Sequence, residues 1–179
     1  MDKALIATQA PETAVGEVAD IYGQVKARLG VVPTPVQLLS ASPIWLRQQQ
    51  ESMSYYMAHP TIGFAALAVI RLLVSVDSKC AYCIDRNASV LINMADWTED
   101  QVAATRDSVD KSPLDAKERA LVGLAVKAAH DSPSVSAADV DAVRAHGWSD
   151  ADIMDGVNHA ARMVALDILF NTFKIERDF

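Results

Sequence analysis

The chain is 179 residues long, 51% apolar and 22% charged, enough for one domain that buries its own core without disulfide staples. Its 16 basic and 23 acidic residues leave a formal charge of −7. There is no cluster of lysines and arginines, which argues against nucleic acid or an anionic membrane as partner. The first residues lack the basic-then-apolar layout of a signal peptide. The most apolar run, Ile62–Val76, contains Arg71 and is too short to span a bilayer. The expected compartment is the cytoplasm, where a pair of cysteines is more often redox-active or inert than a structural bridge.

In chain order, residues 1–13 read as an arm with little periodicity, and residues 14–179 as a single helical domain. Glu12–Leu29 carries Val15, Val18, Ile21, Tyr22, Val25 and Leu29 at helical spacing, with Gly30 placed to close the helix in the left-handed conformation. Pro35–Ser40 is a short helix. Ser42-Pro43 reads as cap and first turn of a helix to about Ala58, ended by His59-Pro60. Its Met53, Tyr55, Tyr56 and Met57 suit a core or a subunit interface. Phe64–Val76 is apolar nearly all round, the pattern of a central helix. Ala81–Asp96 follows. Thr98 and Gln101 fit a capping box, with Trp97 and Val102 as its hydrophobic staple. The same rule returns at Trp148-Ser149-Asp150-Ala151-Asp152-Ile153, a hint of internal duplication. Between them lie a helix over Leu114–His130 and a short one from the Ser136 cap to His146, closed by Gly147. A last helix runs from Asp150 to about Phe173. The sum is an all-α bundle of about eight helices with short loops.

The chemistry concentrates at Cys80 and Cys83, the only cysteines, spaced C-x-x-C at a helix start. A thiolate there is stabilised by free amides and the helix dipole. One thiol can attack a peroxide or disulfide while the other resolves the product, ending in a Cys80–Cys83 disulfide. Lys79 and Arg86 favour the thiolate, Tyr82 can donate a hydrogen bond to it, and Asp85 opposes. The bland alternative is two inert buried cysteines. Zinc would need two further ligands, and His59, His130, His146 and His159 are too scattered to supply a pair. No Gly-rich phosphate loop and no cofactor motif is present, so no metal, haem, flavin or nucleotide is expected.

Ser75–Cys83, S-V-D-S-K-C-A-Y-C, resembles the signature of the carboxymuconolactone decarboxylase superfamily, and within it the alkyl hydroperoxidase D (AhpD)-like proteins. Gly16–Tyr22, Val32-Pro33 with Leu38-Leu39 and Ser42-Pro43, Leu114–Leu121, and Gly147–Asp150 are similar to the longer peroxidase-related members. The likeness spans most of residues 14–173. It implies an AhpD-like helical fold and homo-oligomers (dimer, trimer or hexamer). It also implies Cys83 as the attacking thiol, Cys80 as its partner, a hydroperoxide or disulfide substrate, and a protein electron donor that the sequence does not identify.

The family pattern also has a glutamate twelve residues before the first cysteine and a histidine four after the second, which together relay protons. Here those positions are Ala68 and Asn87, neither of which takes up a proton at neutral pH. The expectation is therefore a thiol peroxidase or disulfide oxidoreductase with weak or altered peroxidase activity. His159 is the substitute base by residue type, and Glu51 a lesser one. Arg71 is expected to pair with a carboxylate, as a buried charge requires, or to hold an anion. Two alternatives stand beside this reading: a non-redox enzyme like the superfamily's decarboxylases, and a non-catalytic oligomeric module with vestigial thiols.

Overall fold

The computed structural model describes residues 4–178. The first three residues of the expected arm and residue 179 of the expected domain lie outside them. Among the described residues there are nine α-helices, two single-turn 3₁₀ helices and no strand. The all-α expectation holds, and eight of the nine helices have seven residues or more. No helix among the described residues is long and apolar enough to cross a membrane. The chain divides into two compact units, one of residues up to Ala58 together with those from Leu169 onward, the other His59–Ile168.

The first unit holds α1 (Gly16–Leu29), α2 (Thr34–Leu39), α3 (Pro43–Met57) and the end of α9 (Asp150–Thr172). Helix α1 starts four residues later than its periodicity predicts, because Gly16 has φ 59° and interrupts any helical run through it. It buries Val18, Ile21, Tyr22 and Val25, four of the six residues expected on its apolar side. Gly30 closes it with φ 79°, as expected. Ser42 occupies the cap position of α3, but its side chain makes no capping hydrogen bond. Ahead of α1 the extended segment is tied down by polar contacts. The Leu5 amide donates to the Phe173 carbonyl, the Gln9 amide to Ser40 Oγ, and the Tyr22 hydroxyl to the Gln9 carbonyl.

The second unit is built around α4 (Phe64–Asp77), which packs on α5 (Ala81–Ala95), α7 (Ala116–Asp131) and α6 (Glu99–Asp107). Its centrality follows from composition. Ala66, Leu67, Ala68, Val69, Ile70 and Leu72 are each 3% exposed or less, so most of its surface is covered by neighbouring helices. Helix α7 starts at Ala116, two residues later than expected, because Asp115 Oδ1 accepts from the Glu118 amide and fixes the start there. Capping boxes form at Thr98/Gln101, Ser136/Asp139 and Ser149/Asp152, opening α6, α8 (Ala137–Ala145) and α9. Gly147 closes α8 with φ 85°. Gly156 serves packing rather than a turn. A Cβ there would lie 2.9 Å from Leu121 Cδ1, so its absence lets α9 approach α7 closely.

Candidate redox site

Helix α4 ends at Asp77, and the chain reverses through Ser78 and Lys79 before α5 begins at Ala81. Lys79 adopts φ 53°, the left-handed region a lysine rarely enters. That turn lets the Cys80 amide donate back to the Ser75 carbonyl at 3.1 Å. It also makes Cys80 the N-cap of α5, with Cys83 in the first turn. The two sulfurs are joined in a disulfide. Both cysteines are buried, at 1% and 2% exposure. Tyr82 lies buried in the same turn. The cysteine pair is therefore at a helix N-terminus, as the sequence predicts.

A third group completes the site. Asp167, from α9, is fully buried. One of its carboxylate oxygens and the two sulfurs all lie within 4.8 Å of one another. Ser75 Oγ donates to Asp167 Oδ1 at 3.2 Å, so Ser75 holds the Cys80 backbone and the carboxylate at once. Asp167 Oδ2 has no hydrogen-bond partner. Burial pushes the Asp167 carboxyl up to about 7, against the opposing pull of the Ser75 and Ser78 hydroxyls. The three form the one group of three or more close His, Cys, Asp or Glu donors among the described residues, one donor fewer than the closed sets of structural zinc. Sequence reasoning missed Asp167. The signal was a lone acid inside Val164–Phe170, an otherwise apolar stretch of the last helix.

Beside the cysteines runs a second polar chain. Arg71, half-buried on α4, donates from Nε to Asn87 Oδ1 at 2.8 Å and from Nη1 to His159 Nε2 at 3.1 Å. Asn87 Nδ2 in turn donates to the Cys83 carbonyl at 2.8 Å. The expected carboxylate partner of Arg71 is not there; among the described residues its contacts are these two neutral groups. The reason is spatial. The residues that α5 and α9 bring against its guanidinium are an amide and an imidazole, and both can accept without charge. Burial, with the Arg86 charge, lowers Arg71 to about 10, still well above neutral pH. Burial first, then the Arg71 charge, drives His159 down to about 3. The ring is thus uncharged at neutral pH with its Nε2 lone pair facing Arg71. His159 connects to the cysteines through Arg71, Asn87 and the Cys83 carbonyl. Ala68, at the family's glutamate position, is fully buried in the core. Glu51, the other candidate base, is an exposed side chain 3.9 Å from Arg47.

This network sets a quantitative expectation. Arg71→Met leaves Asn87 Oδ1 and His159 Nε2 buried without their donor. Each such loss costs about 1–3 kcal/mol, so the variant is expected to unfold in urea with about 2–5 kcal/mol less stability. Arg71→Lys recovers only part of this, because an ammonium cannot reproduce the guanidinium's two-way fork.

The helices bring the cysteine pair to the head of α5 in an all-α fold. A scan against family models returned no match, and neither did a search of curated proteins. Solved structures do match. An alkylhydroperoxidase AhpD core, an uncharacterized peroxidase-related protein from Ralstonia eutropha JMP134, superposes with TM-score 0.87 at 18% identity, over 99% of this chain and 94% of that one. An uncharacterized peroxidase-related protein from Silicibacter sp. TM1040 gives TM-score 0.79 at 19% identity, over 96% and 94%. The debrominase Bmp8 in its apo form gives 0.75 at 14% identity, over 97% and 92%. At these identities the likeness is one of fold, the fold that the resemblance implied.

Proposed function

We propose that the protein is a thiol–disulfide oxidoreductase that reduces a hydroperoxide or a small disulfide with Cys80 and Cys83. The observation that carries this reading is the cysteine pair itself, joined across the first turn of α5 and set beside a buried carboxylate. In the peroxide form of the reaction, Cys83 attacks the peroxide oxygen. An S–O bond forms, the O–O bond breaks, and an alcohol leaves with one proton. Cys80 then attacks the sulfenic sulfur, forms the S–S bond and releases water. Two thiols are oxidised to one disulfide while ROOH becomes ROH and H₂O. In this reading Tyr82, in the same turn, and His159, linked to Cys83 through Arg71 and Asn87, act as supporting groups. A protein reductant of unknown identity would restore the thiols, and a homo-oligomer working in the reducing cytoplasm fits that cycle.

The debrominase among the similar structures favours a second reading with the same thiols. An organic halide and two thiols would give the dehalogenated product, halide, a proton and the Cys80–Cys83 disulfide. One experiment tests both readings. The reduced protein is mixed with one equivalent of cumene hydroperoxide, of an aromatic disulfide or of a brominated pyrrole, and free thiols are counted with the small-molecule product. Loss of two cysteine thiols per chain, matched by one alcohol, by two aromatic thiols or by one debrominated pyrrole, is expected for the true substrate class. No thiol loss with all three classes sinks the proposal.

A further inference from the structure

We propose that Asp167 is the proton donor and acceptor of the Cys80–Cys83 pair, a carboxyl group supplied by α9 in place of the glutamate missing at Ala68. This rests on the redox reading above.

Three observations converge. The carboxylate and both sulfurs lie within 4.8 Å of one another, with all three residues buried. A freed thiol covers such a gap by one rotamer change or through one water, the reach a proton-transfer group needs. Second, Asp167 Oδ2 is buried with no partner while Oδ1 is held by Ser75. A buried oxygen without a donor is costly, and the cost falls if that oxygen carries a proton aimed at the sulfurs. Third, the carboxyl is poised near neutrality, where an acid–base group works best.

The surroundings isolate this titration. Facing Asp167 are the Ser75 and Ser78 hydroxyls at the end of α4 and the cysteines at the start of α5. Only burial and these two hydroxyls shift its carboxyl; no charged group among the described residues does. Asp77 of α4 pairs with His130 of α7 at 3.0 Å, both well exposed. The two line a cleft of about 150 Å³ with Ser78 and Val164. Arg71 of α4 and His159 of α9 bond to each other. Lys79 is exposed.

The proton bookkeeping closes. In the oxidative half, the Asp167 carboxylate takes the proton of the attacking thiol and returns it to the departing alkoxide as alcohol. It then takes the proton of the second thiol and gives it to the hydroxide that leaves as the S–S bond forms. In the reductive half, one thiolate of an external dithiol attacks the disulfide, the S–S bond breaks, and Asp167, reprotonated from solvent, gives its proton to the departing cysteine thiolate. The second external thiolate then breaks the mixed disulfide and leaves as the oxidised external disulfide, and a second proton from solvent by way of Asp167 restores the second cysteine.

The reductive half supplies a test that needs no peroxide substrate. The rate of reduction of the Cys80–Cys83 disulfide by dithiothreitol is followed from pH 5 to 9 and corrected for the reagent's own thiolate fraction. For the unaltered protein the corrected rate is expected to fall about tenfold between pH 6 and pH 8, as the acid of pKa about 7 is lost. Asp167→Asn is expected to flatten the profile and to slow reduction at pH 6 by about tenfold or more. Ser75→Ala, a smaller change, removes a hydrogen bond that favours the carboxylate and so should move the inflection upward. It keeps the test alive if the asparagine variant does not fold. An unchanged corrected profile in Asp167→Asn, or an unmoved inflection in Ser75→Ala, overturns the proposal. Failure of the redox reading looks different: disulfide reduction keeps its dependence on Asp167 while no hydroperoxide, disulfide or halide is consumed.

Discussion

Cys83→Ser is expected to abolish turnover, and Cys80→Ser to stop it after one equivalent. The asymmetry follows from the roles proposed above for the two sulfurs, Cys83 as the attacking thiol and Cys80 as its partner. Cys83 sits in the first turn, where free amides and the dipole favour its thiolate. Serine there is not ionised near neutral pH, and the rate should drop by about 10³-fold or more, the scale on which losing a nucleophile is felt. With Cys80 replaced, Cys83 can still be oxidised once, but no thiol remains in reach to displace the hydroxyl. Mass spectrometry of Cys80→Ser after one equivalent of oxidant should find a single added oxygen on Cys83, or an adduct with the reductant. The reverse pattern, with Cys83→Ser gaining the oxygen, would exchange the roles. Full turnover in either single variant would remove the pair from the mechanism.

The second large effect is on stability as a function of pH. Asp167 titrates at about 7 in the fold and at about 3.8 in the unfolded chain. Between those values the folded state holds a proton that the unfolded state has released, so stability falls as pH rises. His159 titrates at about 3 in the fold and about 6.5 unfolded. Over that window the unfolded state holds the extra proton, so stability falls as pH drops. The two slopes oppose over pH 4–6.5 and nearly cancel, which should leave the unaltered protein with a flat profile from this pair. Removing one member exposes the other. His159→Gln should lose stability from pH 4 to pH 7, by on the order of 4 kcal/mol. Asp167→Asn should gain a similar amount from pH 3.5 to pH 6.5. Urea midpoints measured at half-unit intervals decide it; parallel profiles for the two variants would show that neither group titrates as its burial dictates.

Much of the fold was legible because its determinants are local. The Thr98/Gln101 and Ser149/Asp152 boxes need only residues three apart, and Gly30 and Gly147 end helices through their own backbone freedom. The all-round apolar character of Phe64–Val76 predicted a central helix, and its residues are among the most buried in the chain. Boundaries slipped where a single backbone angle or side chain outweighed periodicity, at Gly16 and at Asp115.

The cysteine pair at a helix start was also a local matter, fixed by C-x-x-C and the polar break before it. Counting along the chain from Cys80 and Cys83 reached Ala68 and Asn87, and so found a relay that was missing. What no count could find was the carboxylate on the other side. Asp167 is 84 residues beyond Cys83 in number (167 − 83), and it meets the sulfurs because α9 packs it against Ser75 of α4 and the start of α5. Arg71 shows the same division. Its apolar setting demanded a partner, and the sequence could state that demand. Only the packing of α4, α5 and α9 decided that the demand is met by an amide and an imidazole, because hydrogen-bond partners are chosen by distance in space.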